Sequence, residues 1–231
     1  MQIKLEEKIR RISPDKFLGK IHSNWARRIV GLIEGNKVLE IGCGYGFLTD
    51  HLSRQGFSAC GIDIDQEAIT VGRSLFPQAD LRISDAYNLP FADNSFDTVV
   101  FHEVVHHLDL EKAFKEAHRL TKNCVIIFDP NPNLIVKLCR KMVRHIDPEA
   151  PFDQVSKTLE RQGLEITSLG FSDLFAMPLS GGFVGPRLVP DLPALHNFLI
   201  KLDQAVCNIL KAVGCERFFC WRYLIKAQKA R

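Results

Sequence analysis

Between residues 37 and 130, short β-branched and aliphatic runs alternate with stretches in which apolar positions recur every three or four residues. "KVLEIG" reads as a strand, and "FLTDHLSRQG" as a helix that Gly56 closes. "SACGID" is the second strand. Asp65 is placed to cap the helix "QEAITVGRSLF", which Pro77 ends. "ADLRISD" and "FDTVVFH" supply strands three and four. Leu110, Ala113, Phe114, Ala117 and Leu120 then keep helical spacing before strand five, "CVIIFD". Strands alternating with helices in this way predict a parallel sheet covered by helices on both faces. Upstream, "SPDKFLGKIHSNWARRIVGLIEG" predicts one or two helices, started by Ser13 and Pro14 and stopped at Gly35, that lid or flank the sheet.

After "DPNPN" the pattern changes. Residues 134 to 146 predict a helix whose Lys137, Arg140, Lys141 and Arg144 share one face. Residues 153 to 162 predict another, ended by Gly163, ahead of the strand "LEITSLGF". A Gly- and Pro-rich stretch, "MPLSGGFVGPRLVPDLP", reads as a loop. It precedes a long helix with an apolar stripe of Leu195, Phe198, Leu199, Leu202, Val206, Ile209, Leu210 and Val213, read as core packing. "FFCWRYLIKAQ" reads as a final edge strand, making seven strands with insertions either side of strand six.

Composition narrows this picture only a little. With 231 residues, 46% hydrophobic and 25% charged, the chain has the make-up of a soluble globular protein. A net charge of +3 is too small to argue for a polyanionic partner. No apolar run is long enough to cross a bilayer, and the N-terminus alternates charges where a signal peptide would be apolar, so a cytoplasmic location is expected. Seven cysteines without a CxxC pair fit neither a disulfide framework nor a four-ligand zinc site. Cys43, Cys60, Cys124 and Cys139 read as small hydrophobes, and no metal is expected.

The candidate chemistry centres on "VLEIGCGYGFLTD", residues 38 to 50. Glycines at 42, 44 and 46 behind a buried strand allow a tight turn and let a ligand approach backbone N–H groups at a helix start. Asp63 ends strand two, twenty-one residues beyond Gly42, where a carboxylate can accept from both hydroxyls of a ribose. Asp85 follows strand three and can reach an adenine amino group, and Glu40 stands directly before the turn. Position 47 is Phe47 where a dinucleotide fingerprint needs glycine, and no Lys with Ser or Thr follows the glycines. These features point to an adenosyl ligand without a polyphosphate.

"VLEIGCGYGFLT", "GIDID", "ISDAYNLPFADNSFDTVV" and "FHEVVHHL" together resemble class I S-adenosylmethionine-dependent methyltransferases, of the small-molecule, type 11 branch that includes quinone-biosynthesis enzymes. The resemblance covers residues 37 to 130, a little under half of the chain. It implies a Rossmann-like, doubly wound α/β fold: a seven-stranded, mostly parallel sheet with helical cap insertions around strand six. It also implies one domain over residues 1–231, with N-terminal helices in 1–36, a cofactor-binding core in 37–130 and substrate-cap insertions in 131–231. The cofactor-binding residues it implies are Glu40, Gly42, Cys43, Gly44, Asp63, Ile64, Asp85, Ala86, Phe101 and His102. Among them, Gly42 and Gly44 pass under the methionine part, Glu40 fixes the amino or ribose end, Ile64 packs on adenine, and Asp85 with Ala86 holds its edge. Phe101 and His102 border the sulfonium. The family's "PGG" turn before strand five is replaced by "LTKNC", a departure that shortens a surface turn. Asp97 reads as holding the start of strand four.

His102, His106 and His107 are the candidate proton acceptors, because histidine titrates near neutral pH and the segment borders the expected sulfonium. Glu103 and Tyr87 are weaker candidates. "FHEV" stands where a base-methylating "NPPY" would, and no Pro-Cys tips strand four or five, so nucleic acid is not expected as acceptor. The expected activity is methyl transfer to a small molecule, lipid-like or phosphorylated. The alternatives are an adenosyl-binding protein without catalysis and, disfavoured by Phe47, a nicotinamide-dependent oxidoreductase. The basic face Lys137, Arg140, Lys141 and Arg144 is a candidate for peripheral membrane contact.

Overall fold

A computed structural model describes residues 9–13, 15–142, 148–182 and 187–230. The chain divides into two compact units. The first is drawn from Ile29–Pro130, Glu149–Gly170 and Leu224–Arg231, the second from Met1–Arg28, Asn131–Pro148 and Phe171–Tyr223.

In chain order the elements are helix α1 (Phe17–Val30), strand β1 (Lys37–Ile41), α2 (Phe47–Arg54), β2 (Ser58–Asp63), α3 (Gln66–Leu75), β3 (Asp80–Ile83) and β4 (Phe96–His102). There follow α4 (Leu110–Leu120), β5 (Thr121–Pro130), α5 (Leu134–Met142), α6 (Phe152–Arg161) and β6 (Leu164–Ser172). The last elements are α7 (Ala176–Ser180), α8 (Pro193–Ala212), α9 (Glu216–Phe219) and β7 (Arg222–Lys229). The seven strands form one sheet in the order β3-β2-β1-β4-β5-β7-β6. The pairs β1 with β2, β1 with β4, β2 with β3 and β4 with β5 are parallel. Val38, Leu39 and Ile41 of β1 and Val99, Val100 and Phe101 of β4 are wholly buried, as central strands covered on both faces require.

The sequence grammar holds closely here. Asp65 caps α3, its Oδ1 accepting from the backbone N–H of Glu67 at 2.9 Å and of Ala68 at 3.1 Å. The "LTKNC" departure leaves no turn at all, since α4 ends at Leu120 and β5 begins at Thr121. Asp97 does a structural job, although the strand it secures is β1: its Oδ2 accepts from the backbone N–H groups of Asn36 (2.8 Å) and Lys37 (2.9 Å). Those donors, Lys37 foremost, hold its carboxyl below the usual aspartate range.

Three expectations need correction. First, β7 is not an edge strand: it lies between β5 and β6, and β3 and β6 form the edges. Its residues Arg222, Tyr223, Leu224, Ile225 and Ala227 are all buried, whereas β6 is exposed along its middle. β7 runs against both neighbours. Asn131 N–H donates to Trp221 O at 2.8 Å where β5 ends and β7 begins, and Ala230 N–H donates to Gly163 O at 2.9 Å where β7 ends and β6 begins.

Second, the Gly- and Pro-rich loop contains the helix α7. Asp203, buried on α8, makes it possible: its Oδ1 accepts from the backbone N–H of Leu174 (3.1 Å), Phe175 (2.7 Å) and Ala176 (2.9 Å), the donors a helix start leaves open. Third, the apolar stripe of α8 is core packing only in part: Leu195, Leu199, Val206 and Leu210 are half-buried. The buried positions of α8 are His196, Asp203 and Cys207, while Phe198, Leu202, Ile209 and Val213 are exposed on the opposite side of the helix. The expected helix over 134–146 is described as far as Met142. Arg144 and the side chain of Cys139 lie outside the described residues.

Candidate active site

Because β1 to β5 are parallel, their carboxyl ends fall on one side of the sheet, and the strand order reverses between β1 and β4. An open α/β sheet leaves its crevice there. The turn after β1 and the segment after β4 face each other across it: a Cβ added to Gly42 would lie 2.2 Å from Val104 Cγ2.

The glycine turn is tied to β2. The N–H groups of Gly42 and Cys43 both donate to Ile62 O, at 2.8 and 2.9 Å. Gly44 N–H donates to Asp63 Oδ2 at 2.7 Å, and Asp63 Oδ1 accepts from Asp65 N–H at 2.9 Å. These three donors are engaged inside the protein, whereas the start of α2 behind Gly46 carries no side-chain cap. What the turn offers is bare backbone. Gly44 has φ +52° and nothing within 4 Å of the place a Cβ would occupy. Gly42, at φ +76°, has no such room.

Glu40 sits one residue from the end of β1, buried, with its Oε2 accepting the Thr49 hydroxyl at 2.5 Å. Burial pushes its carboxyl up to about 8, against the pull of Thr49 and with a small push from the charge of Asp63. Cys43 is buried too, and its thiol is pushed far up by the same burial, then by Glu40 and Asp63; it is not a nucleophile here.

Beyond β2, Ile64 is 73% exposed, an aliphatic side chain standing beside the turn with no core to cover it. Asp85 is exposed after β3, its Oδ1 accepting from Tyr87 N–H at 3.0 Å, and Ala86 beside it is half-buried. The Tyr87 hydroxyl in turn accepts from Asp109 N–H at 2.9 Å. Tyr87 is thereby a fastener for the start of α4.

Phe101 is corrected: its side chain is wholly buried, its ring edge-on to Phe114 at 5.6 Å, so it belongs to the core and not to the wall of the crevice. Alternation along β4 then sends the next side chain to the other face. His102 is half-buried and tilted against Phe128. Glu103 follows with φ +58°, an uncommon conformation for a residue with a side chain, and its N–H donates to Phe128 O at 2.7 Å. The chain thus reverses sharply as it leaves the sheet.

That reversal leads into a 3₁₀ turn, Val105–His107, where the three candidate histidines part company. His107 is exposed. The His106 ring, 4.1 Å from that of His107, turns its Nδ1 to Asp129, 3.0 Å from Oδ1 and 2.9 Å from Oδ2. Asp129 is fully buried near the end of β5. An imidazole whose Nδ1–H is taken by a buried carboxylate keeps Nε2 as its basic nitrogen. Sequence reasoning missed Asp129. The signal was an acid closing the otherwise apolar run "CVIIFD".

Residues 39–128 match the family model for a methyltransferase domain. Among curated relatives, a probable S-adenosylmethionine-dependent methyltransferase of Mycobacterium tuberculosis is 30% identical over 176 residues, 74% of this chain and 60% of that protein. The demethylmenaquinone methyltransferase of Renibacterium salmoninarum is 32% identical over 102 residues, 42% of this chain and 43% of that one. The chain thus spans about 60% or less of the length of these relatives. Among solved structures, a SAM-dependent methyltransferase from Archaeoglobus fulgidus aligns with TM-score 0.64 at 19% identity, covering 91% of this chain and 94% of that one. Geranyl diphosphate C-methyltransferase from Streptomyces coelicolor aligns with TM-score 0.65 at 14% identity, covering 92% and 82%. Over residues 39–128 the chain is thus similar to the methyltransferase domain family, and its sheet order with the crevice at the switch point is that of the class I fold its solved neighbours share.

Proposed function

We propose that the protein transfers a methyl group from S-adenosylmethionine to a small-molecule acceptor. The observation that carries the reading is the crevice at the β1/β4 switch point, where the side-chain-free face of Gly44, the carboxylate of Asp63 and the exposed Ile64 adjoin. This set fits an adenosyl ligand. Asp63 spends one lone-pair site on each oxygen on backbone donors and keeps others for ribose hydroxyls. Ile64 offers an apolar platform for a base, with Asp85 and Ala86 at its edge. Glu40 acts through Thr49, fixing the turn from beneath. Phe47, standing where a dinucleotide turn needs its third glycine, argues against a pyrophosphate, and so against a nicotinamide cofactor.

S-adenosylmethionine, when bound, supplies an electrophilic methyl carbon. His106 takes the proton that an oxygen or carbon nucleophile must lose, through Nε2, while Asp129 fixes the tautomer and steadies the imidazolium. Asp129 is a positioning residue, since it reaches the reaction only through His106. A lipid-like or phosphorylated acceptor is supported by two matching proteins named for such substrates, the demethylmenaquinone and geranyl diphosphate methyltransferases. The reading places the reaction in the cytoplasm. Among the described residues the cysteines are free thiols, five of them buried, which suits a reducing compartment.

Isothermal titration with S-adenosylmethionine, S-adenosylhomocysteine and NADH tests the reading. Micromolar binding of the first two and its loss in Asp63→Ala is the expected result. Folded protein that binds neither, or that binds NADH instead, overturns it.

A further inference from the structure

The second unit carries an apolar surface that no part of the proposed reaction uses. On α8 and its C-cap, Phe198 (60% exposed), Leu202, Ile209 (63%) and Val213 (66%) form one stripe turned away from the buried side of the helix. α9 packs against both α8 and α5, and it adds the exposed Phe218. α5 adds Leu134 (71% exposed) and Leu138. Three helices of one unit thus present large apolar side chains to solvent, well beyond the scattered leucines of an ordinary surface.

The charges on the same helices have one sign. Lys137 and Lys141 flank Leu134 and Leu138 on α5, Lys201 borders the α8 stripe and Arg217 stands next to Phe218, while Arg140 and Lys211 lie on other sides of their helices; of the two acids, Asp203 is buried under the start of α7 and Glu216 is half-buried. Lysines beside exposed leucine and phenylalanine are the make-up of an interfacial helix: apolar side chains enter the acyl boundary while aliphatic stems carry the ammonium groups up to the headgroups. Such a face suits a second copy of the chain poorly. Interfaces between copies are depleted of lysine, and two faces each carrying Lys137, Lys141, Lys201 and Arg217 would repel.

We propose that the face formed by α5, α8 and α9 seats on an anionic lipid surface. Among the described residues no helix is long and apolar enough to cross a membrane, so the contact is peripheral. It holds whether or not the methyl-transfer reading does.

Flotation with phosphatidylcholine vesicles and with equimolar phosphatidylcholine and phosphatidylglycerol vesicles, each at 0.1 and 0.5 M salt, tests it. The protein is expected on the anionic vesicles only, with binding weakened by salt. Each cation removed from the surface weakens partition about fivefold. Lys137→Glu with Lys141→Glu therefore lowers it about twentyfold or more. Phe198→Ser with Ile209→Ser lowers it at least about tenfold with an unchanged urea unfolding midpoint. Absence from anionic vesicles, equal binding to both lipids, or wild-type binding by both variants overturns the proposal. So does a lipid-free dimer, seen by sedimentation velocity, that Phe198→Ser with Ile209→Ser dissociates.

Discussion

Glu40 is held in a place that opposes its charge, and this has a measurable thermodynamic signature. Its carboxyl titrates at about 8 when folded against an ordinary value of 4.5, with burial as the first cause. Between those two values the folded protein keeps a proton that the unfolded chain has released. Proton binding therefore favours the folded state, and stability falls as pH rises through the window. Each pH unit is worth about 1.4 kcal/mol, so from pH 5.5 to pH 8 this one group withdraws about 3 kcal/mol. Glu40→Gln keeps an oxygen for the Thr49 hydroxyl and cannot ionise. The assay is urea unfolding of both proteins at the two pH values, with m checked for equality. The glutamine protein should gain about 3 kcal/mol on the wild type between pH 5.5 and pH 8. A difference that stays constant with pH would refute the reasoning, because it would mean that Glu40 is ionised and compensated throughout.

Gly42→Ala forces a Cβ to within 2.2 Å of Val104 Cγ2 at φ +76°, and should cost about 2 kcal/mol of stability and at least about tenfold in S-adenosylhomocysteine affinity. Adding Val104→Ala should restore part of both, read by urea unfolding and titration. Once an acceptor is found by labelled-methyl screening, His106→Ala should lower kcat by about a hundredfold or more with KM little changed. Asp129→Asn should lower kcat less, with KM and the urea unfolding midpoint little changed, whereas a purely structural Asp129 would move the midpoint. Asp203→Ala strips three backbone donors of their acceptor and should lower the Tm by about 10 °C, for about 3 kcal/mol lost, in a thermal melt.

What could be read from the sequence followed from how local each cause is. Strands β1 to β5, the glycine turn and the Asp65 cap depend on residues a few positions apart, and alternation with capping chemistry marks them without ambiguity. The slot of β7 depends on β5, which ends at Pro130, and on β6, which ends at Ser172, both far from its start at Arg222. A continuous apolar run such as "YLIKA" marks burial on both faces but not the neighbours that provide it. α7 was hidden for a similar reason: its start is completed by Asp203, a residue on another helix. On α8 the periodicity was right but only one flank of the stripe is covered, because a stripe of period 3.6 says that a helix has an apolar face and nothing of what covers it. His106 could be named as one of three candidates, but its selection rests on Asp129, twenty-three residues on and in reach only once β4 and β5 pair.

The interior position of β7 also sets an order of assembly. β6 precedes it in the chain, yet the flank on which β6 finally rests is β7 itself. During synthesis β1 to β5 can pair as each emerges, since every neighbouring pair there except β1 with β4 is joined by a short helical crossover, and β1 is already in place when β4 arrives. β6 has no docking edge until residues 222–229 have inserted beside β5. Until then the free edge of β5 is open to any other strand, which makes arrival of β7 the step that closes the sheet against misassociation.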